Sequence, residues 1–315
     1  MTASDEHNHP GGLPVAAAAA TAPTEGGALD TEGARLLAEL GVVEGAPAGE
    51  APASDEAGEA DSEHITPRAS LEYALSLHGR TLDETRLPST LIATFHASVY
   101  RDLVAATSAE QAPQTPPEVM TVAQGKIGER PVALRKLGIG APAAVTVLEE
   151  LIALGVRDIL VIGTGGSLQP ALPIGSLVVP TSAIREEGTS FHYAPAGSEL
   201  APDATLAQAL AEAAVAQGAV VTFGPVWTTD APYREMRSKV VAYGAMGALA
   251  VEMEASALFA LAQFRGVRLA LLLAISDELF HEWRPGFRSA EVRAAQKLMT
   301  QAALQVAGSL GDSVE

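Results

Sequence analysis

The sequence predicts an α/β fold in which helices cover a largely parallel sheet. The clearest sign is a strand–helix–strand unit, with apolar runs at residues 132–137 and 159–162 and an amphipathic stretch between them that stops at Gly155. A second sign is the unbroken apolar run at residues 269–275, long enough for a strand buried on both faces. Strands joined by a helix run parallel with a right-handed crossover, so these runs indicate an α/β protein.

Charge is distributed unevenly and suggests two regions. The chain has 315 residues and a net charge of −18, yet residues 1–63 alone carry 13 Asp and Glu against one Arg. This segment is rich in Ala, Gly, Pro and Glu, and cannot bury enough apolar surface to offset the entropy of ordering it. We expect residues 1–60 to form a disordered acidic tail and residues 61–315 to form one catalytic domain.

Composition also limits the partners. The chain has no cysteine, which excludes disulfides, iron–sulfur clusters and thiolate zinc sites and fits a reducing compartment. The acidic balance disfavours nucleic acids and anionic membranes as partners. No run approaches the roughly 20 apolar residues of a membrane span, and the tail lacks the features of a signal peptide. We expect a cytoplasmic protein without metal or cofactor.

The elements can be assigned in order from pattern and turn residues. Helices are expected near residues 71–77, 99–107, 142–154 and 257–263. Strands are expected at residues 91–95, 120–123, 131–137, 159–162, 176–180, 249–253 and 269–275. The segment 125–130 reads as a hairpin turn, and the glycine-rich segments 138–141 and 163–167 read as loops after strands.

Three carboxylates lie near the ends of predicted strands. Glu252 and Glu254 are two residues apart where a strand meets a helix, and Asp277 follows the apolar run at 269–275. Ligands of open α/β sheets bind outside the carboxyl ends of strands, so the three could face one crevice. The alternative is that they are solvated loop and cap residues. The two glycine loops could likewise cradle an anion or a sugar, or could serve only as tight turns.

Five segments together resemble the uridine and purine nucleoside phosphorylases of the hexameric bacterial type. They are residues 162–170 (IGTGGSLQP), 175–180 (GSLVVP), 183–195 (AIREEGTSFHYAP), 251–256 (VEMEAS) and 276–277 (SD). The resemblance covers about residues 64–310. It implies a three-layer α/β/α fold with a central mixed, largely parallel sheet. It also implies cleavage of the N-glycosidic bond of a nucleoside by phosphate, giving free base and ribose 1-phosphate.

The resemblance further implies roles for individual residues. Those expected at the ribose are Glu252, Met253, Glu254 and His64. Those expected at the phosphate or other nucleophile are Gly140, Thr164, Gly165 and Gly166. Those expected at the base are Trp227, Thr229, Ser276 and Asp277, with Glu254 and Asp277 as the catalytic pair. Core packing is an alternative for Trp227, and a simple surface position for His64. A homo-oligomer built on dimers, up to a hexamer, is also implied.

The nucleophile is where the sequence departs from the resemblance. The phosphorylases it resembles carry an Arg in the strand before the glycine loop, where this chain has Val161, and an Arg-containing segment after the first strand that finds no match here. Arg101, Arg135 and Lys136 are the available substitutes. Two alternatives to phosphorolysis therefore stay open: a nucleosidase that uses water in place of phosphate, and a non-catalytic module that binds nucleosides.

Overall fold

A computed structural model describes residues 63–311, so the expectation of a disordered tail at 1–60 lies outside the described residues. The described part contains seven α-helices: α1 (Pro67–Ser76), α2 (Ala97–Thr107), α3 (Ala141–Ala153), α4 (Ala204–Ala216), α5 (Arg237–Ala245), α6 (Ala255–Arg265) and α7 (Ala290–Ser309). It contains ten strands: β1 (Thr90–Thr94), β2 (Glu110–Gln111), β3 (Ala123–Ile127), β4 (Arg130–Lys136), β5 (Asp158–Ser167), β6 (Leu177–Glu186), β7 (Val221–Thr229), β8 (Ala250–Glu252), β9 (Arg268–Glu278) and β10 (Arg284–Pro285).

The strands form one mixed sheet that closes on itself in its centre. The order is β10-β9-β6-β7-β8-β5-β1-β4-β3-β2, and β9 also pairs with β5. Strands β5, β9, β6, β7 and β8 therefore form a closed circuit. The longest ladders, β5 with β9 and β6 with β7, are parallel, whereas β8 meets β5 and β6 meets β9 in short antiparallel pairs. The predicted mixed α/β fold is confirmed.

Helices cover both faces of the sheet and give it two apolar cores. On one face, α1, α3 and α6 pack on the sheet through residues such as Leu75, Leu148 and Phe259. On the other, α2, α4 and α7 do so through residues such as Leu103 and Leu210. The arrangement is the expected three-layer one. Within residues 63–311, no helix is both long enough and apolar enough to span a bilayer.

Three of the seven described helices begin at a residue whose side chain caps them. Thr66, Asp203 and Ser289 each accept a hydrogen bond from the backbone N–H three residues later, at the starts of α1, α4 and α7. These side chains satisfy donors that the helix itself leaves unpaired. Helix α6 ends at Gly266, which has the left-handed conformation that glycine adopts without cost (φ 64°).

The structure corrects two details of the predicted strand–helix–strand unit. Strands β4 and β5 are parallel but not adjacent, because β1 lies between them and pairs with both. The glycine-rich segment 163–167 is not a loop but the second half of β5, which is paired with β9 and, at its end, with β8. The physical reason is close packing: a Cβ on Gly165 would lie 2.8 Å from the carbonyl oxygen of Val251.

This contact predicts that Gly165→Ala destabilises the fold. The obstructing atom belongs to the backbone of β8 and cannot rotate away, so we expect a loss of about 1–3 kcal/mol in the free energy of unfolding. Gly188→Ala is the control, because its φ of −92° suits alanine and the nearest atom to its Cβ would be 4.0 Å away. Thermal and denaturant unfolding of both variants test the prediction, and equal stabilities would contradict it.

Candidate active site

The junction between β8 and α6 is organised by the carboxylate of Glu252. Its side chain accepts hydrogen bonds from the Thr228 hydroxyl at 2.5 Å and from the backbone N–H groups of Glu254 and Ala255 at 2.7 Å each. The Thr228 oxygen in turn accepts the N–H of Ser256 at 3.0 Å. These contacts satisfy the first N–H groups of α6, so Glu252 caps the helix. The sequence places both acids where a strand meets a helix, but does not distinguish which of them caps it.

Glu254 lies next to this cap and connects it to the glycine loop after β4. Its Oε1 accepts the backbone N–H of Gly140 at 2.6 Å, although the two residues are far apart in sequence. Both carboxyl groups are buried, with Glu252 5% and Glu254 6% exposed. The two acids are close enough for the charge of Glu252 to act on Glu254, while their common facing of a ligand crevice stays a prediction. Since Gly140 donates its N–H to Glu254, its contact with phosphate stays a prediction.

Burial sets the electrostatics of the two acids. It raises the pKa of Glu254, and the neighbouring charge of Glu252 raises it further, against the backbone N–H groups of Gly140 and Met253. Burial also raises the pKa of Glu252, while its three hydrogen-bond donors act in the opposite direction. A carboxyl group that accepts three such bonds keeps its charge more readily than its neighbour. We therefore assign the negative charge to Glu252 and the more readily held proton to Glu254.

Asp277 lies near the end of β9, and strand β5 separates β9 from the β8 strand that carries Glu252. Its Oδ1 accepts the hydroxyl of Ser276 at 2.8 Å, and its Oδ2 accepts the indole N–H of Trp283 at 2.9 Å. The side chain is 8% exposed and lies against Gly166, where an added Cβ would be 3.3 Å from Oδ2. Sequence reasoning missed Trp283, whose signal is an aromatic residue that follows Ser276 and Asp277 closely in the sequence.

A fourth buried acid, Glu187, supports the same region. It accepts the hydroxyl of Ser256 at 2.9 Å and the N–H of Ser190 at 2.9 Å, which joins the segment after β6 to the first turn of α6. Its charge also raises the pKa of Glu252, although burial is the larger cause. Glu187 lies inside one of the segments that carried the resemblance, but no role was assigned to it there.

The remaining predicted residues fall into two groups. Thr164, Gly165 and Gly166 lie in the last part of β5, and Gly166 pairs with both Val251 and Asp277, so this strand joins the two acidic sites. Thr229 is buried at the end of β7, where its hydroxyl oxygen accepts the N–H of Ala231. Ser276 is likewise buried.

Two predicted residues stand apart from the acids. Trp227 is fully buried in a core cluster, with its ring 4.8 Å from that of Tyr243, so no face of the indole is left for a base. Core packing, the alternative interpretation, describes its position, and stacking of Trp227 on a nucleobase is wrong for this structure. His64 is exposed just before α1, and no hydrogen bond joins it to the acids in the described part of the chain. Met253 is partly buried between the two glutamates.

Two basic side chains lie at the ends of β1 and β4. Arg135 pairs in register with Ala93, and its Nε is buried without a hydrogen-bond partner among residues 63–311. His96 follows β1, and its Nε2 is buried in the same unpartnered state. Burial lowers the pKa of both. Arg101 and Lys136, the other two substitutes considered, are exposed.

A separate cavity of about 420 Å³ lies between α1, α3 and the end of α6. None of the predicted site residues lines it. Arg265 crosses its wall and binds Glu149 at 2.7 Å and Glu63 at 2.6 Å, and Tyr193 donates to Glu149 at 3.0 Å. We take the buried acids rather than this cavity as the candidate site, because titratable groups with perturbed pKa values and specific partners are a mark of functional sites.

Comparison with known proteins supports the assignment of this chain to one family. Residues 97–310 match the family described as the phosphorylase superfamily. The chain belongs to the phosphorylase superfamily. The matched region contains both acidic clusters and the full strand circuit.

Individual relatives in the phosphorylase superfamily are similar over about half of the chain. A uridine phosphorylase of Treponema pallidum is 38% identical over 49% of this chain and 64% of its own length. A guanosine phosphorylase of Halorubrum lacusprofundi is 37% identical over 45% of this chain and 59% of its own length. A uridine phosphorylase of Escherichia coli is 30% identical over 49% and 67%. The chain thus spans less than two thirds of the first two relatives.

The raised pKa of Glu254 predicts a pH-dependent stability. The pKa of Glu254 is raised above its ordinary value of 4.5 in the folded protein. Such a carboxyl group contributes stability that is fully present below about pH 4.5 and is lost as the pH rises through the folded pKa. Glu254→Gln stays neutral throughout. Between about pH 5.5 and about pH 8, we expect the wild-type melting temperature to fall more than that of the variant.

Thermal melts at several pH values test this expectation. Glu212→Gln, which removes an exposed carboxylate on α4, is the control and should keep the wild-type slope. Identical slopes for wild type and Glu254→Gln would show that Glu254 titrates as an ordinary glutamate.

Proposed function

We propose that the chain is a nucleoside phosphorylase that cleaves the N-glycosidic bond of a purine nucleoside with phosphate. The observation that carries the proposal is the joining of two buried acidic sites, Glu252 with Glu254 and Ser276 with Asp277, through paired strands β8, β5 and β9. Ribose and base of one nucleoside need two such sites at a short separation. Membership of the phosphorylase superfamily supports the same assignment.

The chemistry of bond cleavage accounts for the first site. Breaking an N-glycosidic bond builds positive charge on the sugar. A carboxyl group on the ribose hydroxyls interacts more strongly as that charge grows, so it stabilises the transition state more than the ground state. Glu254 has this role in the proposal. Glu252, held by three donors, keeps Glu254 and the start of α6 in position.

The second site accounts for the departing base. The leaving purine carries negative charge and departs more readily when it is protonated. A carboxyl group beside a ring nitrogen suits a purine better than uracil. The names of the relatives include both uridine and guanosine phosphorylases, so the carboxyl group of Asp277 is the reason for preferring a purine.

Phosphate is the proposed nucleophile because of the basic groups at the ends of β1 and β4. Burying a guanidinium nitrogen that has no hydrogen-bond partner in the described chain costs free energy, unless a ligand supplies the missing acceptor. Arg135 offers that nitrogen, and phosphate is commonly held by arginine. His96 adds a second unpartnered nitrogen next to the same strand ends.

Hydrolysis by water is the second candidate, and one observation favours it. Val161, at the position where the resemblance leads one to expect an arginine, is 0% exposed in the apolar core. It leaves no cationic group there. The third candidate, a non-catalytic binding module, does not need both buried acidic sites and is the weakest of the three. A cytoplasmic homo-oligomer with a role in nucleotide salvage belongs to the proposal as well.

One experiment separates the three candidates. The full chain is incubated with inosine, guanosine, adenosine and uridine, with and without inorganic phosphate, and the sugar product is identified. Ribose 1-phosphate formed only with phosphate supports the proposal. Free ribose at an unchanged rate without phosphate supports the nucleosidase, and binding without product supports the module. Clear preference for uridine would contradict the choice of a purine.

Glu254→Gln is predicted to impair turnover more than folding. The amide keeps the shape of the side chain but cannot ionise, so it lacks the negative charge that the Glu254 carboxyl group can develop opposite the oxocarbenium ion, and we expect turnover to fall by about 100- to 1,000-fold. Steady-state rates on the best nucleoside test this, with melting temperature measured on the same sample. A variant that turns over normally but melts earlier would remove Glu254 from the ribose site.

Arg135→Gln is predicted to weaken phosphate binding. Loss of one charge-assisted hydrogen bond of about 1.5–3 kcal/mol corresponds to a rise of roughly 10- to 150-fold in the KM for phosphate. The KM for the nucleoside should change much less. Lys297→Gln, which removes an exposed charge on α7, serves as the control. An unchanged phosphate KM would show that another group holds the anion.

A further inference from the structure

Trp283 uses its one polar atom on a buried acid while its ring faces solvent. It lies just before β10 in the loop that follows β9, and its indole N–H donates to Oδ2 of Asp277 at 2.9 Å. Trp283 is 61% exposed, whereas Asp277 is 8% exposed. An indole at the surface finds water for its N–H, so a bond to a buried carboxyl group is a specific arrangement. The proposed function gives a role to Asp277 but none to Trp283.

Both oxygens of Asp277 are engaged in the described part of the chain. Oδ1 accepts the hydroxyl of Ser276 at 2.8 Å, and Oδ2 accepts the indole N–H. An indole nitrogen donates but does not accept hydrogen bonds. While it points at Oδ2, this oxygen cannot offer a proton to a base along the same line. A base that contacts Oδ2 therefore has to replace the indole N–H.

The loop that carries Trp283 has a paired stem and a weakly held tip. In the stem, β10 pairs with residues 277 and 278, and the N–H of Gly286 donates to the carbonyl oxygen of Ser276 at 2.9 Å. At the tip, Glu282 binds Arg237 of α5, but both side chains are exposed, and ion pairs of this kind are weak. Release of the indole from Asp277 therefore requires no change in the strand pairing beneath it.

A second exposed ring adjoins the indole. Phe287 is 56% exposed, and its ring centroid lies 6.3 Å from that of Trp283. The two rings form an exposed apolar surface next to a buried carboxyl group. A nucleobase matches both features, because its flat face stacks on aromatic rings and its polar edge binds a carboxyl group. Trp227, which was expected to stack on the base, is fully buried and leaves this role open.

We infer that Trp283 is a base-binding residue that changes its partner when the base arrives. In the free chain, its N–H holds Oδ2 of Asp277. A purine base replaces the N–H there, and the released indole packs on the plane of the base. The inference rests on the proposed function and adds a base-contacting residue to it. The ring of Trp283 then favours base binding, whereas its N–H opposes binding, because the bond to Asp277 has to break first.

Two variants separate the ring from the N–H. Trp283→Phe keeps a flat ring without a donor, and Trp283→Leu removes both. Binding of hypoxanthine to the full chain, without phosphate, is measured by titration calorimetry. We expect the Kd of Trp283→Leu to be about 10-fold that of Trp283→Phe, because these two variants differ in the stacking ring. The Kd of Trp283→Phe should not exceed that of the wild type. Tyr73→Leu, which removes an exposed aromatic residue of α1, is the control and should keep the wild-type Kd.

Fluorescence provides a readout that a merely structural role would not change. The chain has two tryptophans and Trp227 is fully buried, so the emission that acrylamide quenches comes from Trp283. Hypoxanthine should lower this quenching in the wild-type chain by roughly half, because stacking covers one face of the indole. Trp283→Phe should lose the quenchable emission, which confirms its source.

The results separate this inference from the proposed function. The expected order of Kd values, together with protection of Trp283 from acrylamide, supports the exchange of partners. Equally weakened binding in both variants would show that the N–H stays on Asp277 in the complex. Unchanged binding in both, or undiminished quenching, would remove Trp283 from the base site. Either result overturns the inference.

Turnover of inosine with phosphate by the wild-type chain is measured in parallel. If the chain turns inosine over, a failed exchange leaves the proposed function standing. If the wild-type chain neither turns inosine over nor binds hypoxanthine, the proposed function is wrong and the inference falls with it.

Discussion

The candidate site depends on one constraint: the carboxylate of Glu252 must be buried and still find three donors. Thr228 of β7 and the first N–H groups of α6 supply these donors. The Glu252 carboxylate therefore connects β7, β8 and the start of α6 by hydrogen bonds. Loss of any donor would leave a buried charge underpaired, which is far more costly than loss of an exposed bond. The position of Glu254 follows from this anchor.

A site made of buried acids is stable only because the rest of the fold is well packed. Glu187, Glu252, Glu254 and Asp277 are all at most 8% exposed, and burying a carboxyl group costs free energy unless it is hydrogen-bonded. Two apolar cores, one on each face of the sheet, offset that cost. Costly burial of polar groups at one place, with ordinary packing elsewhere, is the pattern expected of a functional site.

Much of this architecture could be predicted from the sequence, and the failures have a common cause. Apolar runs identified β1, β4, the first half of β5 and β9, whereas the joint role of the acidic residues near the ends of β8 and β9 stays a prediction. The glycine run of β5 was taken for a loop, because local preference disfavours glycine in strands, while the approach of β8 that requires glycine is a tertiary fact. The burial of Trp227 is tertiary in the same sense, and no periodicity reveals it.

The ends of the sheet carry a further consequence. Both outermost strands, β2 and β10, have only two residues, and β10 contains Pro285, which cannot donate to a ladder. The central strands are closed into a circuit and expose no edge at all. In the described part of the chain, the two ends of the sheet therefore offer a second copy little backbone for strand addition. Side chains on helices and loops offer more surface for an assembly, so its geometry would depend on surface residues rather than on sheet register.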